Sequence, residues 1–527
     1  MELIVKYSGD YEEFISKLAN FAAVMGTDLG QGYAVIDIPV SMTEMLRGLS
    51  FVEDIELPKN VFLNELNVGS GCISSPVFRR SSYTGRGVII GVIDTGVDYT
   101  SREFISPDGR TRIISIWDQS RPGRPPKGFN EGTEYTSEAI NNALSADDPF
   151  DILPPTDISG HGTAVAGIAA GNTTGTAPEA SIVAVRVRTG DDEEGRTVQL
   201  MKGLRYVINK ASELSMPASI NISYGMNEGS HRGDSLFESY ISSVSGEWKI
   251  SVIIPTGNEG GAGHHYEGDL QSGETIDIGF FTDTGIVSLY LSLWKNYVDS
   301  FSCELILPGG ESAGVINKFS ESVRINAGGI AVTSIYAQPS RRSANQEIFY
   351  DIRSAGREIP SGLWILRIRA EEIVDGHFDI WLPTVEQVGR GTYFVDPSDR
   401  LTMTIPSTAS RIIRTAGFNS RTGAAAVFSG RGIGCPANII PDISAPAVDV
   451  SAPTLSGGIS GFTGTSFAAP LAAGYAALLM QWGIVCGYSP FMYGEKLKAE
   501  LHLLAERSPF NRYPDPVFGY GKIRPST

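Results

Sequence analysis

The stretch Gly464-Thr465-Ser466-Phe467-Ala468-Ala469-Pro470 decides how the rest of the chain is read. A small Gly-Thr lead-in sets Ser466 at a turn, and Pro470 holds φ a few residues on. Behind it, Leu471 to Met480 is apolar nearly all round, which is the pattern of a buried helix. A serine at the head of such a helix meets free backbone N–H groups and the positive end of the helix dipole. That setting suits a nucleophile whose reaction makes an oxyanion. Alone, Ser466 reads as an ordinary helix cap. Two further stretches change that.

The first is Val88-Ile89-Ile90-Gly91-Val92-Ile93-Asp94-Thr95-Gly96-Val97. Its continuous β-branched run predicts a strand buried on both faces, as in a parallel sheet. Asp94 falls at the carboxyl end, where open α/β sheets bind their ligands. The second is Gly160-His161-Gly162-Thr163-Ala164-Val165-Ala166-Gly167-Ile168-Ala169-Ala170, in which His161 opens another small-residue apolar helix. A carboxylate, an imidazole and a hydroxyl are the three parts of an acyl-transfer triad. The serine attacks, the histidine takes its proton, and the carboxylate orients the ring. Their order along this chain is Asp94, His161, Ser466, which is the subtilisin order.

Asp94-Thr95-Gly96, His161-Gly162-Thr163 and the Ser466 stretch resemble the three signature blocks of the subtilisin-like serine proteases. A fourth block agrees: Pro255-Thr256-Gly257-Asn258-Glu259-Gly260, after the apolar run Ile250 to Ile254. The resemblance implies that Asn258 gives its side-chain amide to the oxyanion hole. It also implies a subtilisin-like three-layer α/β domain with a parallel sheet. Glu194-Gly195-Arg196 and Ser223-Tyr224-Gly225 resemble the two edges that pair with an extended peptide substrate by strand addition, and Thr256 and Gly257 lie beside it. The bland reading of both edges is a pair of loops flanking a strand.

The 527 residues suggest two to four domains, and the 42% apolar share is globular. A net charge of −17 makes nucleic acid an improbable partner and reads most simply as solubility. Cys72, Cys303, Cys435 and Cys486 show no metal or redox spacing, and nothing in it asks for disulfides. No membrane span of roughly 20 apolar residues is expected. Met1-Glu2-Leu3-Ile4-Val5-Lys6 does not open a signal peptide. No cofactor is expected, and protein or peptide substrate is the expected partner.

Residues 1–65 predict a small βαββαβ unit on the ferredoxin-like plan. Its helix over 11–22 would carry Phe14, Ile15, Leu18 and Phe21 on one face, and Ser41-Met42-Thr43-Glu44 reads as a capping box. This unit resembles the propeptide of subtilases, which implies that its end lies in the active-site groove and that it stays associated after cleavage. The plain alternative is an accessory domain. Residues 66–82 are polar and irregular, a linker, and self-cleavage is expected within about 64–82. The catalytic domain would run over 83–266 and resume over 401–527, with a surface insertion from Arg121 to about Asp151. After the His161 helix many subtilases wrap a calcium ion. The loop Gly171 to Pro178 is short and has no acidic residue, so no metal is expected there.

Asn258 and Ser466 stand 208 positions apart, more than a plain subtilase needs. Residues 267–400 hold at least seven alternating runs, among them Val287 to Trp294 and Leu363 to Ile368, which predicts an inserted β-sandwich or jelly roll. With such an insert the chain resembles the clostridial Csp-type germination subtilases. That resemblance implies a self-processing serine endopeptidase of restricted targets, such as a spore cortex-lytic pro-enzyme. It further implies a bacterial, intracellular or spore-associated protein, with release by non-classical export. Two other readings stand beside it. One is a pseudoprotease that binds partners through the insert; the other is a general subtilisin-like protease.

Overall fold

The strands of the core are the β-branched runs. Ile89–Asp94 is buried at every position and pairs in parallel with Ala218–Ile222 on one side and Ser181–Arg186 on the other. The computed structural model describes residues 1–21, 24–64, 82–189, 195–339, 343–354, 358–434, 439–455 and 457–523. Glu194, nearly all of the 66–82 linker, Cys72 and Cys435 lie outside those residues. The main sheet has eight strands in the order Ile443–Pro446, Ile413–Phe418, Ile250–Pro255, Ala218–Ile222, Ile89–Asp94, Ser181–Arg186, Ile113–Asp118 and Thr133–Thr136. Every pairing is parallel except the last. That last strand and the helix Ser137–Leu144, which buries Ile140 and Ala143, come from the segment expected to be a surface insertion. Part of that segment therefore completes the sheet.

A strand apolar on both faces needs cover on both. One face takes the helices His161–Ala170 and Thr465–Met480, which are buried in one cluster with Val88, Ile90 and Val92. The other takes Thr197–Glu213 and Leu236–Val244. The expectation of no membrane-length segment needs correcting, because Thr465–Val485 has the length and apolar composition to cross a bilayer. Its most apolar window is 72% buried inside the protein. It is the core helix behind Ser466.

The N-terminal sheet runs in the order Met25–Gly30, Tyr33–Asp37, Glu2–Tyr7, Val52–Glu56, all antiparallel, with helices Tyr11–Ala19 and Thr43–Arg47. Strand alternation divides its apolar residues. Leu3, Val5, Ala34 and Ile36 pack with Phe14 and Leu18 in the unit's own core. Ile4 and Val35 point the other way, into the cluster of the helices Thr197–Glu213 and Leu236–Val244. The first helix ends at Ala19, short of the expected span, and leaves Phe21 51% exposed. The expected capping box is not made. The chain enters the second helix through the 3-10 turn Val40–Met42, and the Thr43 hydroxyl donates to the Val40 carbonyl.

Among the described residues between His265 and Phe394 lie two antiparallel sheets, of six and five strands, around one apolar core. Ser312–Ile316 and Ser322–Ala327 are strands that the alternation had not singled out.

Candidate active site

Each chemical group stands at the end of a buried element. Asp94 closes its strand and is fully buried. Its Oδ1 accepts from Thr95 N at 2.8 Å and meets His161 Nδ1 at 2.6 Å. His161 is the first residue of its helix, and its ring centroid lies 5.2 Å from that of Phe467, the residue after Ser466. Ser466 lies in the first turn of its helix, entered through Gly464 at φ 148°. Gly96 is needed for the approach of the Asp94 and His161 segments. At φ +110° a Cβ there would come within 1.8 Å of the Thr156 carbonyl oxygen.

A residue the motifs did not flag, Asp157, holds these parts together. Its Oδ1 accepts from Gly160 N at 3.0 Å and from Thr95 Oγ1 at 3.0 Å, and its Oδ2 from Thr163 N at 2.9 Å. One carboxylate thus caps the His161 helix and ties it to the residue beside Asp94. The available signal was an Asp four positions before the histidine.

Asn258 is oriented by its own oxygen, which accepts from Thr465 N and Thr465 Oγ1, both at 3.1 Å. That leaves its Nδ2 to donate to Glu386 Oε1 at 3.2 Å. Glu386 belongs to the short helix Val385–Val388, whose first N–H is held by Glu259 Oε1 at 2.9 Å. Burial, with Glu259 adding to it, raises the Glu386 carboxyl to about 8. Glu259 also meets His264 Nδ1 at 2.6 Å. Burial opposes the His264 charge, but Glu259 outweighs it and raises its pKa.

The groove is filled by the chain's own residues. Asn60–Leu63 forms the middle strand of a three-stranded sheet, with Gly195–Arg196 on one side and Tyr224–Gly225 on the other. The ladder continues to Asn64, whose N–H donates to the Ser223 carbonyl at 3.1 Å. Ser466 Oγ donates to the Asn64 carbonyl oxygen at 2.6 Å. The Asn64 side chain lies against Gly225, where an added Cβ would stand 2.8 Å from its Oδ1 and 2.6 Å from Thr404 Oγ1. Val61 is fully buried.

Of the other residues singled out from sequence, Gly257 borders Thr404 in the same way, with an added Cβ 2.4 Å from Thr404 Oγ1. Thr256 is fully buried, with its hydroxyl 3.3 Å from that of Ser429. In the loop after the His161 helix, Glu103 reaches in from outside and accepts from Thr173 N at 2.9 Å. Arg112 donates there to the carbonyls of Ala170 and Ala180, each at 2.6 Å, and to Asn172 Oδ1 at 3.0 Å. Its guanidinium supplies positive charge to a ring of oxygens. Elsewhere Glu267, His377 and Asp379 converge, but Arg400 already holds Glu267 at 3.2 Å and Arg232 holds Asp379 at 2.8 Å.

Residues 85–521 match the model of the subtilase family. The chain belongs to that family, the subtilisin-like serine proteases. Residues 1–59 match the Csp protease B prodomain. The chain is similar to the solved Clostridium perfringens CspB protease, with 34% identity and a TM-score of 0.78 over 85% of this chain and 93% of that one. It is 25% identical to the major intracellular serine protease of Bacillus subtilis over 54% of this chain and 81% of that protein. The PII-type proteinase of Lacticaseibacillus paracasei is 26% identical over 44% of this chain, which spans 12% of that protein's length.

Proposed function

We propose that the chain is a self-processing serine endopeptidase whose Asp94, His161 and Ser466 form the triad, and that it first cuts its own bond after Asn64. The observation that carries this reading is Ser466 Oγ seated 2.6 Å from the Asn64 carbonyl oxygen, with the preceding strand clamped between both groove edges. Ser466 Oγ attacks the Asn64 carbonyl carbon, and its proton passes to His161. Asp94, bound to Nδ1, orients the ring so that Nε2 takes that proton, and it stabilises the imidazolium. The oxyanion is met by N–H groups at the head of the Ser466 helix and by the Asn258 amide once it leaves Glu386. His161 returns the proton to the amine of Glu65, and water then releases Asn64 from Ser466.

After the cut the N-terminal unit stays docked through Ile4 and Val35, with its tail in the groove. An occupied groove fits an enzyme of few targets, and similarity to the Csp prodomain supports a cortex-lytic pro-enzyme of the spore as that target. The same occupancy supports a second reading, a binding protein with a blocked site. A fluorophosphonate probe separates the two. Labelling of the wild type that is lost in Ser466→Ala, with two bands on a denaturing gel, supports the protease. One unlabelled full-length band supports the binding protein.

A further inference from the structure

The groove has an end that the triad does not use. Lys59 is the sixth residue counting back from and including Asn64. Its backbone is held as the strand's is: its N–H donates to Thr197 Oγ1 at 3.1 Å, and its carbonyl accepts from Thr197 N at 3.0 Å. It lies two residues before Val61, hence on the same side of the extended chain. Main-chain pairing therefore decides where its side chain is delivered.

The side chain is delivered to a carboxylate. Nζ donates to the Glu228 carbonyl at 3.2 Å and lies 3.6 Å from Glu228 Oε1. These two side chains are 18% and 26% exposed. Glu228 follows the Tyr224–Gly225 edge by three residues. A second carboxylate, Glu347, comes from the inserted sandwich, on strand Asn345–Ser354, and accepts from Ser292 Oγ at 2.6 Å. Burial works against the Lys59 ammonium, but Glu228, Glu347 and Glu56 outweigh it and hold it charged beyond the ordinary lysine range. Burial raises the Glu347 carboxyl, Lys59 pulls it back, and Glu228 pushes it up again.

Glu56 is engaged elsewhere, accepting from Leu236 N at 2.6 Å, and it belongs to the N-terminal unit. Glu228 and Glu347 belong to the enzyme side and remain when the tail is exchanged for a substrate. A half-buried carboxylate that loses its cation is left poorly solvated. The pocket is therefore built to receive a positive charge.

We propose that Glu228, with its own backbone carbonyl, forms a subsite for a lysine or arginine of the protein substrate, six residues before the cleaved bond, and that Glu347 of the inserted sandwich adds negative charge to it. This rests on the reading that residues 59–64 lie along the substrate track. A recognition element this far from the cut narrows the choice of target without touching the chemistry.

The test uses the full chain and follows the rate of the cut after Asn64 by intact mass. Lys59→Arg is expected to cut within about threefold of wild type, and Lys59→Ala and Lys59→Glu at least about tenfold slower, since a partner of a half-buried pair is lost. In the Glu228→Lys/Glu347→Lys chain the order reverses, and Lys59→Glu cuts faster than Lys59. The melting temperatures of the same variants in the Ser466→Ala background show which of them fold. Equal rates for Lys, Ala and Glu at position 59 in folded chains would overturn the subsite, as would a failure of the order to reverse. In both cases the cut would still fall after Asn64. If the wild type is cut at another bond, or not at all, the reading of the groove itself fails and takes the subsite with it.

Discussion

The N-terminal unit and the inserted sandwich both lie outside the eight-stranded sheet, and both reach its groove, but by different means. The N-terminal unit reaches it with main chain: Asn60–Leu63 adds a strand between two edges. The sandwich region reaches it with charge: Glu386 accepts from the Asn258 amide, and Glu347 favours the Lys59 ammonium. Main-chain pairing is nearly blind to side chains and sets the register of any extended peptide. Carboxylates select by charge and act on the chemistry. On the proposed function, the difference teaches that where the chain is cut and what is cut would be decided by separate parts of the molecule.

Both contacts bear on self-cleavage only through the proposed triad, so the largest expected effect comes from breaking it. Asp94→Asn is expected to slow self-cleavage by about 10⁴, because the imidazole is then held in the wrong tautomer. Time courses of freshly folded protein check this, and a loss under tenfold would remove Asp94 from the triad. Next, Asn258→Ala should lower the catalytic constant by about 10²–10³ with little change in binding, the loss found when the amide donor of a subtilisin is removed. Weaker binding with turnover kept would mean that Asn258 is not the donor.

The docking of the N-terminal unit is the third way to separate the two regions. Self-cleaved wild type should elute in size exclusion as one peak with both fragments. Ile4→Ala removes an interface residue without touching the unit's own core and should weaken that association by about 2 kcal/mol. An unchanged affinity would mean that Ile4 does not hold the unit in place.

The smallest effect is a pH dependence of a few-fold from Glu386. Burial and Glu259 raise its carboxyl from 4.5 to about 8. As pH climbs through about 8 it ionises beside Asn258, the proposed oxyanion donor, and the catalytic constant should fall. The sign for stability agrees, because the folded chain keeps a proton that the unfolded chain loses above the ordinary carboxylate range. Stability from this group is thus present at low pH and is lost as pH rises towards about 8. Glu386→Gln keeps the acceptor and should abolish the alkaline fall. A fall that persists in Glu386→Gln assigns it to another group.

Much of the core was legible in the sequence because its signals are local. Ile89 to Ile93 reads as a doubly buried strand from its own composition, and the residues beside Asp94, His161 and Ser466 carry the close contacts that their segments need. The ferredoxin-like order was legible from periodicity, but the destination of each face was not. Ile4 and Leu3 are equally apolar, and only the packed partner shows which faces the enzyme. Phe21 failed because the helix stops at Ala19, before its periodicity runs out. Asp157, Glu386 and Thr404 were missed for a common reason. Their roles depend on backbone and side chains brought near by folding, and no local pattern distinguishes them from any other polar loop residue.

The most direct test of the central claim is the intact mass of purified wild type beside Ser466→Ala. The serine must attack the carbonyl it faces, so the wild type should give one fragment ending at Asn64 and one beginning at Glu65, and Ser466→Ala should give the uncut chain alone. Fragments joined at any other bond, or an equal cut in Ser466→Ala, would contradict it.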